Sequence, residues 1–395
     1  MKTLLRTTFA LLFVMGLSCR AAQTASPNTA TAKPAAAKPE GLTAWADGLF
    51  AWGAGKTTLE EITTVKIPGT RIYLAKRTYA ADPRMNDQAH LFVEEGGKIL
   101  VGDVFYDEDR AKNPSPVRTD ADLESMRSKV RQFLIGGFSL VLDPASDRKN
   151  WKGVTVKMDT GYGITPMAAF IKADDGTLLV IGRFWDRNRS IAEQRREGIK
   201  LAGAPMTGPA DARVTVVEYS DMECGFCKKR TADFDALVAK MSKELTIKRY
   251  IKLFPLTTAH PWAYRAASAG RCFFDLKGAS AFFRWKSAVY ARQDELSVPG
   301  VDSFAMDFAY ANEIPDAQFR ACYLQAKSND KIHADLTEGW ALRVRSTPTY
   351  YIDGVYVSWF SDNIMEEFLR TTYLGGKGLP LPAAPTAAPA ADAKH

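Results

Sequence analysis

The sequence predicts an α/β domain in the C-terminal half of the chain and, ahead of it, an α+β domain built from two similar units. Its 395 residues are 46% hydrophobic and 25% charged, a composition typical of a globular protein with about two or three domains. The second half contains a strand pattern followed by Cys-Gly-Phe-Cys and an amphipathic helix pattern. The first half contains one hairpin pattern twice.

The first 40 residues are predicted to lie outside both domains. Residues 1–21 have a cationic start, an apolar stretch and small residues at their end, which is typical of a secretory signal peptide. Residues 22–40 form a low-complexity tether. The typical lipoprotein pattern has Leu three residues before the cysteine, but Leu17 lies two before Cys19. A lipid anchor at Cys19 and cleavage after Ala21 therefore remain alternatives, and both predict an exported, periplasmic protein.

The charge of the chain argues against a nucleic-acid-binding function. The net charge is +7, and it falls to +4 without the three basic residues of the signal segment. A nucleic-acid surface needs Lys and Arg clustered on one face, so no nucleic-acid partner is expected. Beyond the N-terminus there is no apolar run of about 18 residues that could span a membrane. Residues 376–395 are predicted to be a disordered Pro/Ala tail.

A repeat divides the N-terminal region into two units. Residues 91–110 and 169–190 share the pattern strand, Gly turn, strand and aromatic-Asp ending, with matching positions offset by 79. Helix patterns precede the copies at 42–52 and 120–134. Two copies are too few for a solenoid, so we expect two α+β units side by side. The predicted limits are 41–120 and 121–202 for the units, 203–212 for a linker and 213–375 for the C-terminal domain.

The cysteines indicate redox chemistry. Four of the five lie beyond the signal segment, and disulfides are the first interpretation of an even count in an exported protein. Cys224 and Cys227 form Cys-Gly-Phe-Cys, which fits either half of a zinc site or a redox motif. A zinc site needs a second Cys or His pair, and the four histidines form no closely spaced pair. No metal is therefore expected.

The sequence around Cys224 favours the redox interpretation over a static disulfide. A β-branched strand pattern at 214–219 is followed by a short turn and a helix pattern that begins at the motif. Cys224 would lie at the helix N-terminus, where free N–H groups and the dipole stabilise a thiolate. Cys227 would then resolve a mixed disulfide, and Glu223 is expected to be solvated. Further lowering of the Cys224 pKa is expected from Lys228, Lys229 and Arg230.

Two further features are expected near this motif. Glu218 lies six residues before Cys224, where a buried carboxyl could carry the proton of Cys227. The alternative is an exposed Glu at a strand end. Thr347-Pro348 precedes a Thr-Tyr-Tyr-Ile strand pattern, and a proline there can be cis, leaving the Thr347 backbone free to pair with a substrate. The alternative is an ordinary trans proline at a strand start.

With these features, residues 213–374 resemble the periplasmic Dsb thiol–disulfide oxidoreductases, a branch of the thioredoxin superfamily. The resemblance rests on Val-Val-Glu-Tyr-Ser-Asp-Met-Glu-Cys-Gly-Phe-Cys near one end and Ser-Thr-Pro-Thr-Tyr-Tyr-Ile-Asp-Gly near the other. Helix patterns lie between them, and the resemblance implies a thioredoxin-like fold with a helical insertion. The roles implied are nucleophile for Cys224, resolving thiol for Cys227, buried acid for Glu218 and cis-proline substrate loop for Thr347-Pro348.

Cys272 and Cys322 both fall within the predicted insertion, each on an apolar helix pattern. With the other cysteines assigned, each is the other's remaining partner. We expect a structural disulfide between them in an oxidising compartment. Two buried free thiols, which pack as small hydrophobic side chains, are the alternative.

The repeated hairpin resembles the small cystatin-like dimerisation domain of the isomerase members of the same family. In that family the domain occurs once per chain, whereas here two similar cystatin-like units are expected. The doubling leaves two possible assemblies. The protein forms a homodimer through its N-terminal domain, or the two units pair within one chain and leave a monomer.

The resemblance implies thiol–disulfide exchange with exported substrate proteins through a Cys224 mixed disulfide, together with a membrane redox partner and no cofactor. Gly-Phe within the motif and Thr347 are similar to the isomerase members, whereas Glu218 is similar to the oxidase. Oxidase and isomerase therefore both remain. A reductase that rescues single oxidised cysteines and a chaperone or binding module with a merely structural motif are also compatible with the sequence.

Overall fold

Two β-sheets organise the described part of the chain, an eight-stranded antiparallel sheet followed by a five-stranded mixed sheet. The computed structural model describes residues 41–80, 83–134, 136–324, 326–358 and 363–375. The signal segment with Cys19, the tether and the tail that the sequence predicts at 1–21, 22–40 and 376–395 lie outside the described residues.

The N-terminal region places its helices around the eight-stranded sheet. The helices are α1 (Gly41–Asp47), α2 (Glu124–Val130) and α3 (Ile191–Gly198). The strands are β1 (Lys56–Ile67), β2 (Thr70–Thr78), β3 (Asp87–Glu94), β4 (Lys98–Tyr106), β5 (Gly137–Leu142), β6 (Trp151–Asp159), β7 (Ile164–Lys172) and β8 (Leu178–Asp186). Their order is β1-β2-β3-β4-β8-β7-β6-β5, so two four-stranded units meet at β4 and β8.

Glycines make the close junction between the two units. Gly102 of β4 lies opposite Gly182 of β8 in an antiparallel pair. A Cβ atom at Gly102 would lie 2.2 Å from the carbonyl oxygen of Ile181, and one at Gly182 would lie 2.0 Å from that of Val101. A side chain does not fit at these distances, so glycine permits the backbones to approach. The units thus pair within one chain, while their cystatin-like character remains a prediction.

The C-terminal region surrounds a mixed sheet with helices. Its strands are β9 (Met206–Thr207), β10 (Val214–Ser220), β11 (Ile247–Leu253), β12 (Thr349–Ile352) and β13 (Val355–Val357). Its helices are α4 (Gly225–Met241), α5 (Ala263–Ala291), α6 (Val298–Ala311), α7 (Asp316–Tyr323), α8 (Ala326–Ala341) and α9 (Ile364–Leu369). The strand order is β13-β12-β10-β11-β9. Strand β10 runs parallel to β11 and antiparallel to β12, and α5 to α8 form an insertion between β11 and β12.

The segment predicted as a linker at 203–212 is partly a strand. Residues Met206 and Thr207 of β9 pair with β11, and the carbonyl oxygen of Pro205 accepts a hydrogen bond from the backbone N–H of Ile251 at 3.0 Å. An open edge of β11 would expose unpaired backbone groups. The connecting chain satisfies part of that edge as it enters the second region.

The two regions share one apolar core. Trp45 and Trp185 of the N-terminal region belong to the same cluster of buried side chains as Tyr219 and Tyr351 of the mixed sheet. The buried Arg195 of α3 donates to two backbone carbonyls that follow α1, and its guanidinium carbon lies 4.9 Å from the centre of the Tyr351 ring. The eight-stranded sheet is therefore packed against the sheet that carries β10.

Candidate active site

Cys224 caps the N-terminus of α4, immediately after the turn that follows β10. Its backbone N–H donates to the carbonyl oxygen of Asp221 at 3.3 Å, and its backbone is extended, with φ −71° and ψ 118°. The side chain is only 5% exposed. Its Sγ lies 3.4 Å from the carbonyl oxygen of Thr347. The strand, turn and helix thus hold this sulfur beside the Thr347-Pro348 loop.

The pKa of Cys224 is lowered to about 6. The hydrogen bond from the Cys227 thiol lowers this pKa most, burial opposes it, and the backbone N–H of Cys227 and the side-chain hydroxyl of Thr347 lower it further. The Cys227 N–H belongs to the first turn of α4, where N–H groups have no partner within the helix. Cys224 is therefore largely a thiolate at neutral pH, which is the nucleophilic form of cysteine.

The basic residues after the motif, from which the sequence predicts a further lowering, are not among the main causes of this shift. Lys228 forms an ion pair with Asp294 at 3.3 Å, and Arg230 pairs with Asp233 at 2.9 Å. Their charges are thus directed to carboxylates outside the motif. Glu223, expected to be solvated, is half-buried, and burial raises its pKa.

Cys227 is fully buried in the first turn of α4. The backbone N–H of Asp221 points at its Sγ across 3.5 Å. Burial raises the pKa of Cys227 well above its ordinary value, and the adjacent Cys224 sulfur adds to the rise. Both cysteines are free thiols in this structure. The two thiols are therefore unequal: that of Cys224 faces the Thr347 carbonyl and has a lowered pKa, and that of Cys227 is fully buried and has a raised pKa.

Glu218 lies fully buried beneath the motif, on β10. One carboxylate oxygen lies 3.2 Å from Nζ of Lys286, and the other lies 3.5 Å from Nη1 of Arg249. Burial raises the pKa of Glu218, but the charges of Lys286 and Arg249 outweigh it and bring the pKa below its ordinary value. Glu218 is thus held as a carboxylate, and its lowered pKa makes it a weaker proton acceptor than an ordinary glutamate.

Lys286 and Arg249 are site residues that the sequence analysis missed. Lys286 is buried on α5, where its Nζ also donates to the hydroxyl of Thr231 at 2.9 Å. Burial lowers its pKa, the negative charge of Glu218 opposes that effect, and the positive charge of Arg249 adds to it. Arg249 is buried on β11 and pairs with Asp235 at 2.9 Å as well as with Glu218. Two cations therefore compensate the charge below Cys227.

The Thr347-Pro348 peptide bond is cis in the structure. Thr347 is buried, and its carbonyl oxygen faces the Cys224 sulfur. Phe226, which lies between the two cysteines in the sequence, is 72% exposed. The reactive sulfur therefore faces the backbone just before β12, and the motif presents a large exposed aromatic side chain.

Cys272 and Cys322 form a disulfide in the structure, and we refer to it as the insertion disulfide. It joins α5 to α7, across 50 residues of sequence. Cys272 is fully buried, and Cys322 is half-buried against the same apolar cluster. This pair is separate from the Cys224–Cys227 motif. Within the described ranges, no group of three His, Cys, Asp or Glu side chains is arranged to hold a metal ion.

Comparison with known proteins yields a family match for the second region. Residues 201–370 match a family model described as Thioredoxin. Solved structures similar to the chain include the thiol-disulfide exchange protein alpha-DsbA2 from Wolbachia pipientis, 20% identical, covering 45% of this chain and 91% of that chain, with a TM-score of 0.38. DsbA2 from Pseudomonas aeruginosa is 23% identical, covering 42% and 93%, with a TM-score of 0.37.

The matching curated proteins are much longer than the shared segment. The Na(+)/H(+) antiporter NhaA 3 of Salinispora tropica is 29% identical over 148 residues, which are 37% of this chain and 21% of that protein. The Na(+)/H(+) antiporter NhaA of Herminiimonas arsenicoxydans is 28% identical over 174 residues, covering 40% and 26%. The chain thus spans about a quarter or less of the length of these relatives. In the part of the chain that the structure describes, no helix has the length and apolar character needed to cross a membrane.

Proposed function

We propose that the chain is a thiol–disulfide oxidoreductase that acts on exported proteins through Cys224, and the match of residues 201–370 to a thioredoxin family model supports this. The observation that carries this proposal is the inequality of the two motif thiols. Cys224 has a pKa of about 6 beside the Thr347 carbonyl, and Cys227 is enclosed with a raised pKa. A nucleophile and a resolving thiol need this difference, because the thiolate is the attacking species.

The reaction follows from the positions of the two sulfurs. The Cys224 thiolate attacks one sulfur of a substrate disulfide, which forms a mixed disulfide and releases the other substrate sulfur as a thiolate. Cys227 then loses its proton and attacks the Cys224 sulfur. That step releases the second substrate thiol and leaves a Cys224–Cys227 disulfide. The substrate gains two electrons and the motif loses two, and the reverse sequence forms a disulfide in the substrate.

The surroundings of Cys224 support a protein substrate. The backbone carbonyl of Thr347, 3.4 Å from the sulfur, can accept a hydrogen bond from an extended segment that lies across the motif. Phe226, within the motif, is largely exposed and can contact an apolar substrate side chain. Signal-like residues 1–21 support export to the periplasm, and a membrane redox partner that restores the motif is part of the proposal.

The low pKa of Cys224 favours one direction of electron flow. Stabilising the thiolate stabilises the dithiol form relative to the disulfide form, which makes the disulfide form more oxidising. This supports a donor of disulfides, an oxidase, over an isomerase or a reductase. Trapping thiols in intact cells tests the direction: a resting Cys224–Cys227 disulfide supports the oxidase, and a resting dithiol supports the isomerase or reductase.

Exchange with a fluorescent disulfide-bonded peptide tests the function itself. Cys224→Ser should abolish exchange, and Cys227→Ser should accumulate a mixed disulfide with the peptide, because the resolving sulfur is missing. The double variant Cys272→Ala/Cys322→Ala is the matched control, since it removes two sulfurs outside the motif and should still exchange. Exchange or client binding that persists unchanged after Cys224→Ser would instead favour the chaperone or binding module.

A further inference from the structure

His260 lies beside the motif although it comes from a different part of the chain, the connection between β11 and α5. Its Nδ1 is 2.7 Å from a carboxylate oxygen of the buried Asp221. The same oxygen accepts the backbone N–H of Leu256 at 2.8 Å, and the other oxygen accepts that of Glu223 at 2.8 Å. Three contacts thus fix the Asp221 carboxylate, and the carboxylate fixes the orientation of the imidazole.

Asp221 also touches both cysteines through its backbone. Its carbonyl oxygen accepts the N–H of Cys224 at 3.3 Å, and its own N–H points at the Cys227 sulfur across 3.5 Å. The connection that carries His260 is held a second time, because a Glu223 carboxylate oxygen accepts the backbone N–H of Trp262 at 2.7 Å. The imidazole and the motif therefore share one rigid support.

The ring nitrogen Nε2 of His260 is available for chemistry. Nδ1 is occupied by Asp221, and among the described residues Nε2 has no hydrogen-bond partner. The side chain is 24% exposed, so protons can reach it from solvent. Besides Asp221, which contacts the ring, the charged groups that act on it most strongly are Cys224 and Glu223. The hydrogen bond to Asp221 raises the pKa of His260 most, burial opposes it, and the charges of those three groups raise it further.

We propose that His260, held by Asp221, donates the proton to the substrate sulfur that leaves when Cys224 attacks. The proposal rests on the thiol–disulfide exchange proposed above. The two residues between the cysteines are Gly225 and Phe226, and neither carries a titratable proton, so a side-chain donor other than the cysteines has to come from another part of the chain. In the step, the Cys224 sulfur forms a bond to one substrate sulfur, the substrate S–S bond breaks, and the leaving thiolate takes the Nε2 proton. The neutral imidazole then regains a proton from water.

The charges of the two groups make this donation most effective near neutral pH. Cys224 becomes a thiolate as the pH rises through about 6. His260 keeps its proton above the ordinary imidazole pKa of about 6.5, because its pKa is raised in the fold. Between these limits the nucleophile is ionised and the donor is protonated. A positioned general acid typically contributes about 100-fold or more when the leaving group needs a proton.

Two disulfide probes with different leaving groups test the proposal at pH 7. Hydroxyethyl disulfide releases an alkyl thiolate, which benefits from protonation, whereas 5,5′-dithiobis(2-nitrobenzoate) releases a stabilised aromatic thiolate, which does not. His260→Gln should slow the first step with the alkyl probe at least about tenfold and change the aromatic reaction by less than about threefold. His90→Gln, in the N-terminal sheet, is the matched control and should leave both rates unchanged.

A second variant separates proton donation from a disturbed fold. His260→Asn keeps a side-chain N–H near the position of Nδ1, which can still donate to Asp221, but it lacks Nε2. It should therefore slow the reaction with the alkyl probe and not with the aromatic probe, and its melting temperature should be unchanged. Equal slowing of both probes, or no slowing of either, in both variants would overturn the proposal. Failure of the proposed thiol–disulfide exchange would give a different result from failure of the His260 proposal. In that case, the wild type and Cys224→Ser would react at equal rates with both probes.

Discussion

Replacing Lys286 by methionine tests the buried charges beneath the motif. Methionine is similar in length and volume to lysine but uncharged, so Lys286→Met removes the nearer cation of Glu218 and largely keeps the packing. Two unit charges 3.2 Å apart attract each other by about 5 kcal/mol at an effective dielectric constant of 20. Arg249 remains at 3.5 Å and compensates part of the loss. Leaving a buried charge without its partner typically costs about 3–5 kcal/mol, and we expect a loss in this range at pH 7.

The loss should depend on pH in a defined direction. In the wild type the pKa of Glu218 is lowered, so its stabilising effect is present above the unfolded pKa of about 4.3 and is lost as the pH falls through the folded value. Without Lys286 the effect of burial prevails and the pKa of Glu218 rises. The carboxyl of the folded variant then takes up a proton as the pH falls from 7 to 5, and the deficit relative to wild type should shrink.

Urea unfolding of the single and double variants measures this effect. In a Glu218→Gln background the charge is already absent, so Lys286→Met should cost less than about 1 kcal/mol. Lys331→Met, which removes a half-exposed partner of Asp275, is the control and should cost about 1 kcal/mol or less. Equal losses from Lys286→Met with and without Glu218, at both pH values, would refute the electrostatic explanation and assign the loss to packing.

Three further predictions concern the motif, the insertion disulfide and the sheet junction. The rate of Cys224 alkylation should rise with pH around a midpoint near 6. Cys227→Ala should raise that midpoint, because the hydrogen bond from Cys227 lowers the pKa of Cys224 most. A midpoint that does not move in this variant would contradict the explanation. Mild dithiothreitol should reduce an oxidised Cys224–Cys227 motif before it reduces the insertion disulfide, and peptide mapping after alkylation gives this order. The 50-residue separation of Cys272 and Cys322 predicts that their bond stabilises the fold by about 4 kcal/mol. The melting temperature should therefore fall only when the insertion disulfide is reduced. Gly182→Ala should destabilise the protein by at least about 2 kcal/mol in urea unfolding, because the new Cβ would lie 2.0 Å from a carbonyl oxygen. The control Gly96→Ala places its Cβ where no atom lies within 4 Å, so it should leave the stability nearly unchanged.

The local structure of the motif could be predicted because neighbouring residues determine it. A β-branched strand, a short turn and an amphipathic helix follow one another in the sequence, and the structure has β10 and α4 in those places. Cys224 accordingly caps the helix. The effect of Lys228 and Arg230 was not predictable in the same way, because their acidic partners depend on the directions of the side chains and on the distant Asp294.

The buried charges could be suspected but not paired from the sequence. Arg249 falls between Ile247 and Ile251 on the inward face of β11, where alternation predicts an apolar residue. Lys286 likewise shares the buried face of α5 with Phe282 and Val289. A charge at an apolar position indicates a buried partner. Which carboxylate it meets depends on how the insertion packs on the sheet, and no local pattern contains that information.

The junction between the two four-stranded units has a consequence for behaviour on dilution. Pairing between separate chains is an equilibrium that weakens as the protein concentration falls. Strands β4 and β8 belong to one molecule, so covalent connection supplies a fixed local concentration of each unit for the other. The pairing of the two units is therefore insensitive to the concentration of the protein, and each such sheet is attached to a single Cys224.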